Sequence, residues 1–163
     1  MPLRVFVVMA LLFMASAQAE DKLGQCLTHV GLLGDWEWHT ENRSPTSPKD
    51  NFTFTSELNN NVVTIRASRV YPDKQPEFKE MFFIYRGTDK QMSRSMYFDN
   101  LGHASQCAVE TSSSCEVVLT CREDKVHMRY VFGRRNEKTY FQWQVPPPHH
   151  HAEFVPYLTG FLE

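Results

Sequence analysis

Apolar and polar residues alternate with a period of two along most of the chain after residue 34, which is typical of β-strands that bury one face. β-Branched and aromatic residues fill these segments, and turn signals such as Asn59-Asn60-Asn61 and Glu123-Asp124 separate them. The pattern predicts the strands Asp35–Thr40, Asn51–Leu58, Val62–Tyr71, Glu80–Arg86, Arg94–Asp99, His103–Glu110, Cys115–Arg122, Lys125–Gly133, Lys138–Val145 and Phe154–Leu162.

Short turns connect most of the predicted strands, which favours an all-β, antiparallel up-and-down barrel of about eight to ten strands without exposed sheet edges. Before them, residues 22–33 carry apolar side chains at a spacing that suits one or two helical turns packed on the barrel mouth. The pattern contains no internal repeat and no long linker. We therefore expect residues 20–163 to form a single domain with a short N-terminal helical segment.

The alternation also predicts which side chains face the barrel interior. The strand from Met81 to Tyr85 is apolar on both faces, so we expect the N-terminal segment to cover its outer side. The predicted interior set is Trp36, Trp38, Phe52, Phe54, Val63, Ile65, Met81, Phe83, Tyr85, Val117, Leu119, Val126, Met128, Tyr130, Phe132, Phe141 and Trp143.

The first 19 residues have the features of a secretory signal peptide: Arg4, the apolar run Val5 to Met14, and small residues that end in Ala17-Gln18-Ala19. An N-terminal membrane anchor is the alternative, but spanning a bilayer takes about 20 apolar residues and this run is shorter. We expect cleavage after Ala19, export to the periplasm or the extracellular medium, and no stable membrane insertion.

The charge balance gives no indication of a nucleic-acid partner. The chain has 17 Lys and Arg residues against 19 Asp and Glu residues, a formal net charge of −2. Binding to phosphate backbones requires a concentrated basic surface, which this composition does not indicate.

The four cysteines, Cys26, Cys107, Cys115 and Cys121, most simply form two disulfides in an exported chain. If Cys115 and Cys121 lie on one strand, they are roughly 20 Å apart, beyond the ~7 Å limit for a disulfide. Cys107 and Cys115 flank the turn-like segment 111–114 and could face each other across a hairpin. We therefore predict Cys107–Cys115 and Cys26–Cys121. A zinc site would require close Cys or Cys/His pairs, which are absent from the sequence.

Gly34-Asp35-Trp36, at the start of the first predicted strand, resembles the first motif of the lipocalin and wider calycin barrels, in which the Trp closes one end of the barrel. The strand pattern over residues 34–162 is similar to that of small exported lipocalin-like domains. The later Thr-Asp-Tyr-type motif of lipocalins has no counterpart here. Haem-binding nitrobindin-like barrels carry glycines where this chain has Trp38 and Thr40, so the resemblance implies a lipocalin-like barrel rather than a haem protein.

Aromatic residues on the predicted interior face could line a ligand cavity or simply fill the barrel, since an eight-strand barrel is just wide enough for either. Polar-tipped rings such as Tyr97 would suit a partly polar ligand. Both possibilities stay open. The candidate ligand-contacting residues are Trp36, Trp38, Phe83, Tyr85, Tyr97, Met128, Tyr130, Phe141 and Trp143.

Two further features suggest chemistry, and each has a simpler interpretation. The tract His149–His151 could bind a metal, but successive side chains of an extended segment diverge, so a polar loop is the favoured interpretation. Asp35 and Glu37 lie on the same face of a predicted strand, about 7 Å apart, and an acid/base pair could work at that distance. They flank Trp36, however, so they should face solvent. The sequence contains no nucleophile elbow, paired metal motif or phosphate loop, so no catalytic residue, metal or cofactor is predicted.

The leading hypothesis from the sequence is a non-enzymatic exported barrel that binds a small apolar or amphipathic molecule in its lumen. The alternative is a protein-binding module or inhibitor that uses surface loops such as Asn42–Asp50 on a disulfide-braced scaffold. An open lumen rimmed by tyrosines would favour the first hypothesis, and a filled interior would favour the second.

Overall fold

A computed structural model describes residues 22–29, 31–40, 48–58, 62–72, 75–86, 93–123, 126–147 and 153–163. Within these ranges, helix α1 (Lys22–His29) precedes ten strands. The strands are β1 (Gly34–Thr40), β2 (Lys49–Glu57), β3 (Val62–Val70), β4 (Phe78–Arg86), β5 (Ser93–Asp99), β6 (Ala104–Thr111), β7 (Val117–Glu123), β8 (Val126–Arg135), β9 (Lys138–Val145) and β10 (Val155–Leu162).

Each strand pairs antiparallel with its neighbour in sequence, and β10 returns to pair with β1, so the sheet is a closed up-and-down barrel. In the pairing of β1 with β10, Trp38 lies opposite Leu162. Two backbone hydrogen bonds extend this pairing: Glu37 N donates to Glu163 O (2.9 Å), and Glu163 N donates to Glu37 O (3.0 Å). Closure leaves no unpaired sheet edge among the described strands. The predicted fold class is confirmed, and most strand boundaries agree to within two residues.

The middle of the barrel is filled with aromatic side chains from β1, β2, β8 and β9. The ring of Phe141 lies 4.8 Å from that of Phe52 and 4.9 Å from that of Phe132, and Phe132 lies 5.2 Å from Phe54. Trp38 packs edge-on against Phe141 at 4.9 Å and is 1% exposed. Edge-to-face and offset contacts at these distances are favourable for aromatic pairs. This part of the interior is a packed core rather than an open lumen.

Strand β4 has the opposite face orientation to the one predicted. Phe82 and Ile84 are each 1% exposed and face inward, whereas Met81, Phe83 and Tyr85 lie on the outer face. Both sets of alternating positions in this segment are apolar, so the hydrophobic pattern could not choose between them, and a one-residue change of register exchanges the two faces. The expected cover is also wrong, because α1 packs against β6 and β7.

The four cysteines form two disulfides, as predicted, but the predicted pairing Cys107–Cys115 with Cys26–Cys121 is wrong. The bonds are Cys26–Cys115 and Cys107–Cys121, with Cα separations of 4.7 and 4.2 Å. Strand β7 begins at Val117 instead of Cys115, so Cys115 lies in the turn before the strand, and Cys107 is directly opposite Cys121 across the β6–β7 ladder. Cys26 therefore attaches α1 to the β6–β7 turn.

Disulfides persist in oxidising compartments, so two of them favour an environment outside the reducing cytosol. The described part of the chain contains no helix with the length and apolar character needed to cross a bilayer.

Candidate binding site

At one end of the barrel, the interior face changes from apolar to charged. In β2, β3 and β4, the next inward-facing residue beyond the apolar core is polar. These residues are Asp50 after Phe52, Arg69 after Ala67, and Glu80 after Phe82. The register places Asp50 opposite Arg69 and Ala67 opposite Glu80, so these side chains meet at the same end.

A partly enclosed cavity of about 90 Å³ lies among these residues. This is roughly three times the ~30 Å³ that a water molecule occupies in the liquid, and far below the ~300 Å³ of pockets that enclose drug-sized ligands. We call it the mouth cavity. Its lining combines aromatic rings with charged groups and consists of Asp50, Phe52, Ala67, Ser68, Arg69, Phe78, Glu80, Tyr97, Met128, Tyr130, Phe141 and Trp143.

Glu80 accepts hydrogen bonds from the opposite side of the cavity. The Tyr130 hydroxyl donates to Glu80 and lies 2.8 Å from one carboxyl oxygen and 2.7 Å from the other, and the Tyr97 hydroxyl, which donates to Asp99, lies close to the same carboxyl group. Burial of the carboxyl group raises the pKa of Glu80 to about 7, although the bond from Tyr130 and the charge of Arg69 oppose this shift. Near neutral pH, Glu80 is therefore poised between its acid and carboxylate forms.

A hydrogen-bonded chain leads from the cavity to the barrel rim. Tyr97 Oη donates to Asp99 Oδ2 (2.9 Å), which also contacts His103 Nδ1 at 2.8 Å. Burial alone would raise the pKa of Asp99, but bonds from the amides of His103 and Leu101 and from the two side chains lower it. Burial and the neighbouring Glu80 raise the pKa of Tyr97. Asp99 is therefore ionised at neutral pH, and Tyr97 stays a protonated donor.

Arg69 and Asp50, on the neighbouring strands β3 and β2, form an ion pair at the mouth of the cavity. Arg69 Nε donates to Asp50 Oδ1 at 2.6 Å, and the guanidinium carbon lies 5.3 Å from the centre of the Trp143 ring. Burial would lower the pKa of Arg69, but the hydrogen bond and charge of Asp50 outweigh it and raise the pKa. The pair stays charged and mutually neutralised, and the cation lies over an aromatic face.

The predicted ligand-contacting residues divide into four groups. Trp38 belongs to the packed core, while Trp36 is half-buried and donates from Nε1 to Leu32 O at 2.8 Å, next to α1. Phe83 and Tyr85 lie on the outer face of β4. The residues that line the mouth cavity are Tyr97, Met128, Tyr130, Phe141 and Trp143.

The charged residues of the site were not among those predicted from the sequence. Asp50, Arg69 and Glu80 each occupy an inward-facing position at the end of a strand. The sequence could have indicated them, because each is a polar residue at a position where the alternating pattern otherwise places an apolar one. The carboxylate of Asp35 accepts a bond from Thr53 Oγ1 (2.6 Å) on the exposed surface. The tract His149–His151 and most of the loop Asn42–Asp50 lie outside the described residues.

The cavity can hold a few atoms of a ligand between aromatic walls, with hydrogen-bonding groups and charges at its rim. Comparison with models of known protein families finds no match, and comparison with curated protein sequences finds none either. The closed antiparallel barrel of ten described strands is compatible with a calycin-like fold.

Proposed function

We propose that the protein is an exported, non-enzymatic, lipocalin-like binding protein that holds a small amphipathic molecule in the mouth cavity. The observation that carries this proposal is the composition of the cavity lining, in which Phe52 and Phe141 form an apolar side and Arg69, Glu80 and Tyr97 supply polar groups. Small-molecule sites commonly combine apolar walls with a few convergent polar groups.

The size of the cavity limits the ligand. Below the cavity, the packed rings of Phe54 and Phe132 leave the barrel filled, so a long apolar chain has no room there. The ligand, or the part of it that enters the barrel, is therefore a compact group of a few heavy atoms.

A binding role is favoured over catalysis because the acidic groups of the site are held by protein partners. Asp50 is paired with Arg69, and Glu80 accepts from Tyr130. The signal-peptide pattern of residues 1–19 and the two disulfides support export to the periplasm or the extracellular medium.

The test is native mass spectrometry of the exported protein, followed by thermal-shift measurements with compact amphipathic compounds. Ala67→Leu would place extra atoms in the cavity, whereas Ala108→Leu adds the same atoms on the exposed face of β6. We expect a small-molecule adduct with the wild type and with Ala108→Leu, and its loss with Ala67→Leu. An adduct that survives Ala67→Leu would show that the ligand lies elsewhere.

A protein-binding role is the second candidate, because apolar side chains gather on the outer face of β4 and β5. Met81 lies opposite Phe98, Phe83 lies opposite Met96, and Phe98 is 39% exposed. Native mass spectrometry separates the two functions: a partner with the mass of a protein, lost with Phe98→Ser, would favour this second role.

A further inference from the structure

The charges that line the mouth cavity do not cancel. Arg69 and Asp50 neutralise each other at 2.6 Å, and His103, beyond the rim, contacts Asp99. Among the described residues, no ion pair within 4.0 Å involves Glu80, and the nearby Lys79 pairs with Glu77 at 2.9 Å on the surface. When Glu80 is ionised, the cavity therefore has one negative charge without a cationic partner.

The walls of the cavity are suited to a positive charge. The faces of aromatic rings carry negative electrostatic potential, which attracts ammonium and guanidinium groups within about 6 Å. The guanidinium of Arg69 lies 5.3 Å from the centre of the Trp143 ring, so one wall of the cavity already accommodates a cation, and the rings of Tyr130 and Phe141 stack on each other at 5.3 Å beside it. The aromatic residues that line the cavity are Phe52, Phe78, Tyr97, Tyr130, Phe141 and Trp143.

We infer that the ligand is a small organic cation, an ammonium group with short alkyl substituents, which pairs with the carboxylate of Glu80 and packs its substituents against the aromatic walls. This inference rests on the proposed function, because it assigns a chemical class to the ligand of the same cavity. A carboxylate-bearing ligand is disfavoured, since Asp50 and Glu80 would repel it.

The electrostatic surroundings of Glu80 support this assignment. The charged and titratable groups that face it are Asp50 on β2, Arg69 on β3, Tyr97 on β5 and Tyr130 on β8, and the positive one among them is already paired with Asp50. Burial raises the pKa of Glu80 to about 7, so the protein leaves the carboxylate incompletely stabilised. A cation in the cavity would stabilise the carboxylate and lower that pKa.

Binding should therefore be linked to release of a proton. Below pH 7, Glu80 is largely protonated and must lose its proton to pair with the cation, so affinity should increase by about tenfold from about pH 6 to about pH 8. At about pH 6, calorimetry in buffers of different ionisation enthalpy should detect release of close to one proton per cation bound.

The experiment is calorimetric titration of the exported, disulfide-bonded chain with four probes: tetramethylammonium, choline, its neutral isostere 3,3-dimethyl-1-butanol, and acetate. We expect both cations to bind, the neutral isostere to bind at least about tenfold more weakly than choline, and acetate not to bind. Glu80→Gln should remove the preference for choline and the dependence on pH, whereas Glu110→Gln, on the exposed face of β6, should change neither.

Each contrary result has a distinct meaning. If the neutral isostere binds as tightly as choline, if acetate binds more tightly, or if no proton is released, the cation assignment is wrong while the binding function stands. If no probe binds and the native protein carries no small-molecule adduct, both proposals fail. The proton measurement uses the wild-type protein, so the test remains decisive even if Glu80→Gln does not fold.

Discussion

Replacing Glu80 with Gln should stabilise the protein at alkaline pH. The folded state raises the pKa of Glu80 from 4.5 to about 7, so the folded protein holds this proton more tightly than the unfolded chain does. The contribution of the Glu80 carboxyl group to the free energy of unfolding is fully present below about pH 4.5. It is lost as the pH rises through about 7. Gln carries no charge to desolvate and can still accept the bond from Tyr130, so it avoids this loss.

The size of the effect follows from the shift in pKa. The rise in the pKa of Glu80 from 4.5 to about 7 corresponds to an upper limit of about 3 kcal/mol. Glu80 retains some solvent exposure as a residue, so the expected effect is smaller than this limit. At about pH 8.5, the free energy of unfolding of the wild type should be about 2 kcal/mol lower than that of Glu80→Gln. At about pH 4.5, the two proteins should differ little.

Urea denaturation of both proteins across this pH range, with Glu110→Gln as the control, measures the difference in free energy of unfolding. The difference between wild type and Glu80→Gln isolates the contribution of residue 80 from those of the other titrating groups. A pH-independent difference, or a Glu80→Gln protein that is less stable than the wild type at alkaline pH, would refute the proposed electrostatics of the cavity.

Three further predictions concern the scaffold. Trp38→Ala should lower the free energy of unfolding in urea by about 3–5 kcal/mol, and more than Trp36→Ala does, because Trp38 is 1% exposed whereas Trp36 is half-buried. Gly160→Ala should cost about 1–3 kcal/mol by thermal denaturation, since its Cβ would overlap the Trp38 indole and the adjacent β1 backbone. Replacing Cys26 and Cys115 together with Ser should lower the melting temperature, corresponding to about 2–4 kcal/mol, because their bond closes a long loop with a sequence separation of 89.

Other outcomes would identify the faulty step in each of these predictions. A larger loss with Trp36→Ala would favour the calycin-like role of that residue as the plug of the barrel end. A harmless Gly160→Ala would show that β1 and β10 can separate slightly without opening the barrel. Peptide mapping of the unreduced protein checks the disulfides independently, and a peptide that joins Cys107 to Cys115 would contradict the structure.

The sequence alone determined the secondary structure and the fold class, because the period-two alternation is a local property. The segments Lys138–Val145 and Val62–Val70 show why, since each is rich in β-branched or aromatic residues and is followed within two residues by a proline. The number of strands and the short turns between them then leave an up-and-down barrel as the natural closed arrangement. The same alternation correctly assigned Phe52 and Tyr130 to the interior.

The tertiary structure decided what local pattern left ambiguous. In β4, either alternating set could be buried, and the choice of Phe82 over Phe83 depends on pairing with Ile65 and Tyr97 in the neighbouring strands. The disulfide connectivity depended on where β7 begins, since a start at Val117 places Cys121 opposite Cys107.

The mouth cavity also required the three-dimensional structure. Asp50, Arg69 and Glu80 are far apart in sequence, and each alone resembles a solvated charge at the end of a strand. Closure of the barrel in one particular register brings them to the same end, removes water from the Glu80 carboxyl group and leaves its charge without a cationic partner. Burial depends on all the neighbouring strands at once, so sequence periodicity could predict that a residue faces inward but not which charges it meets there.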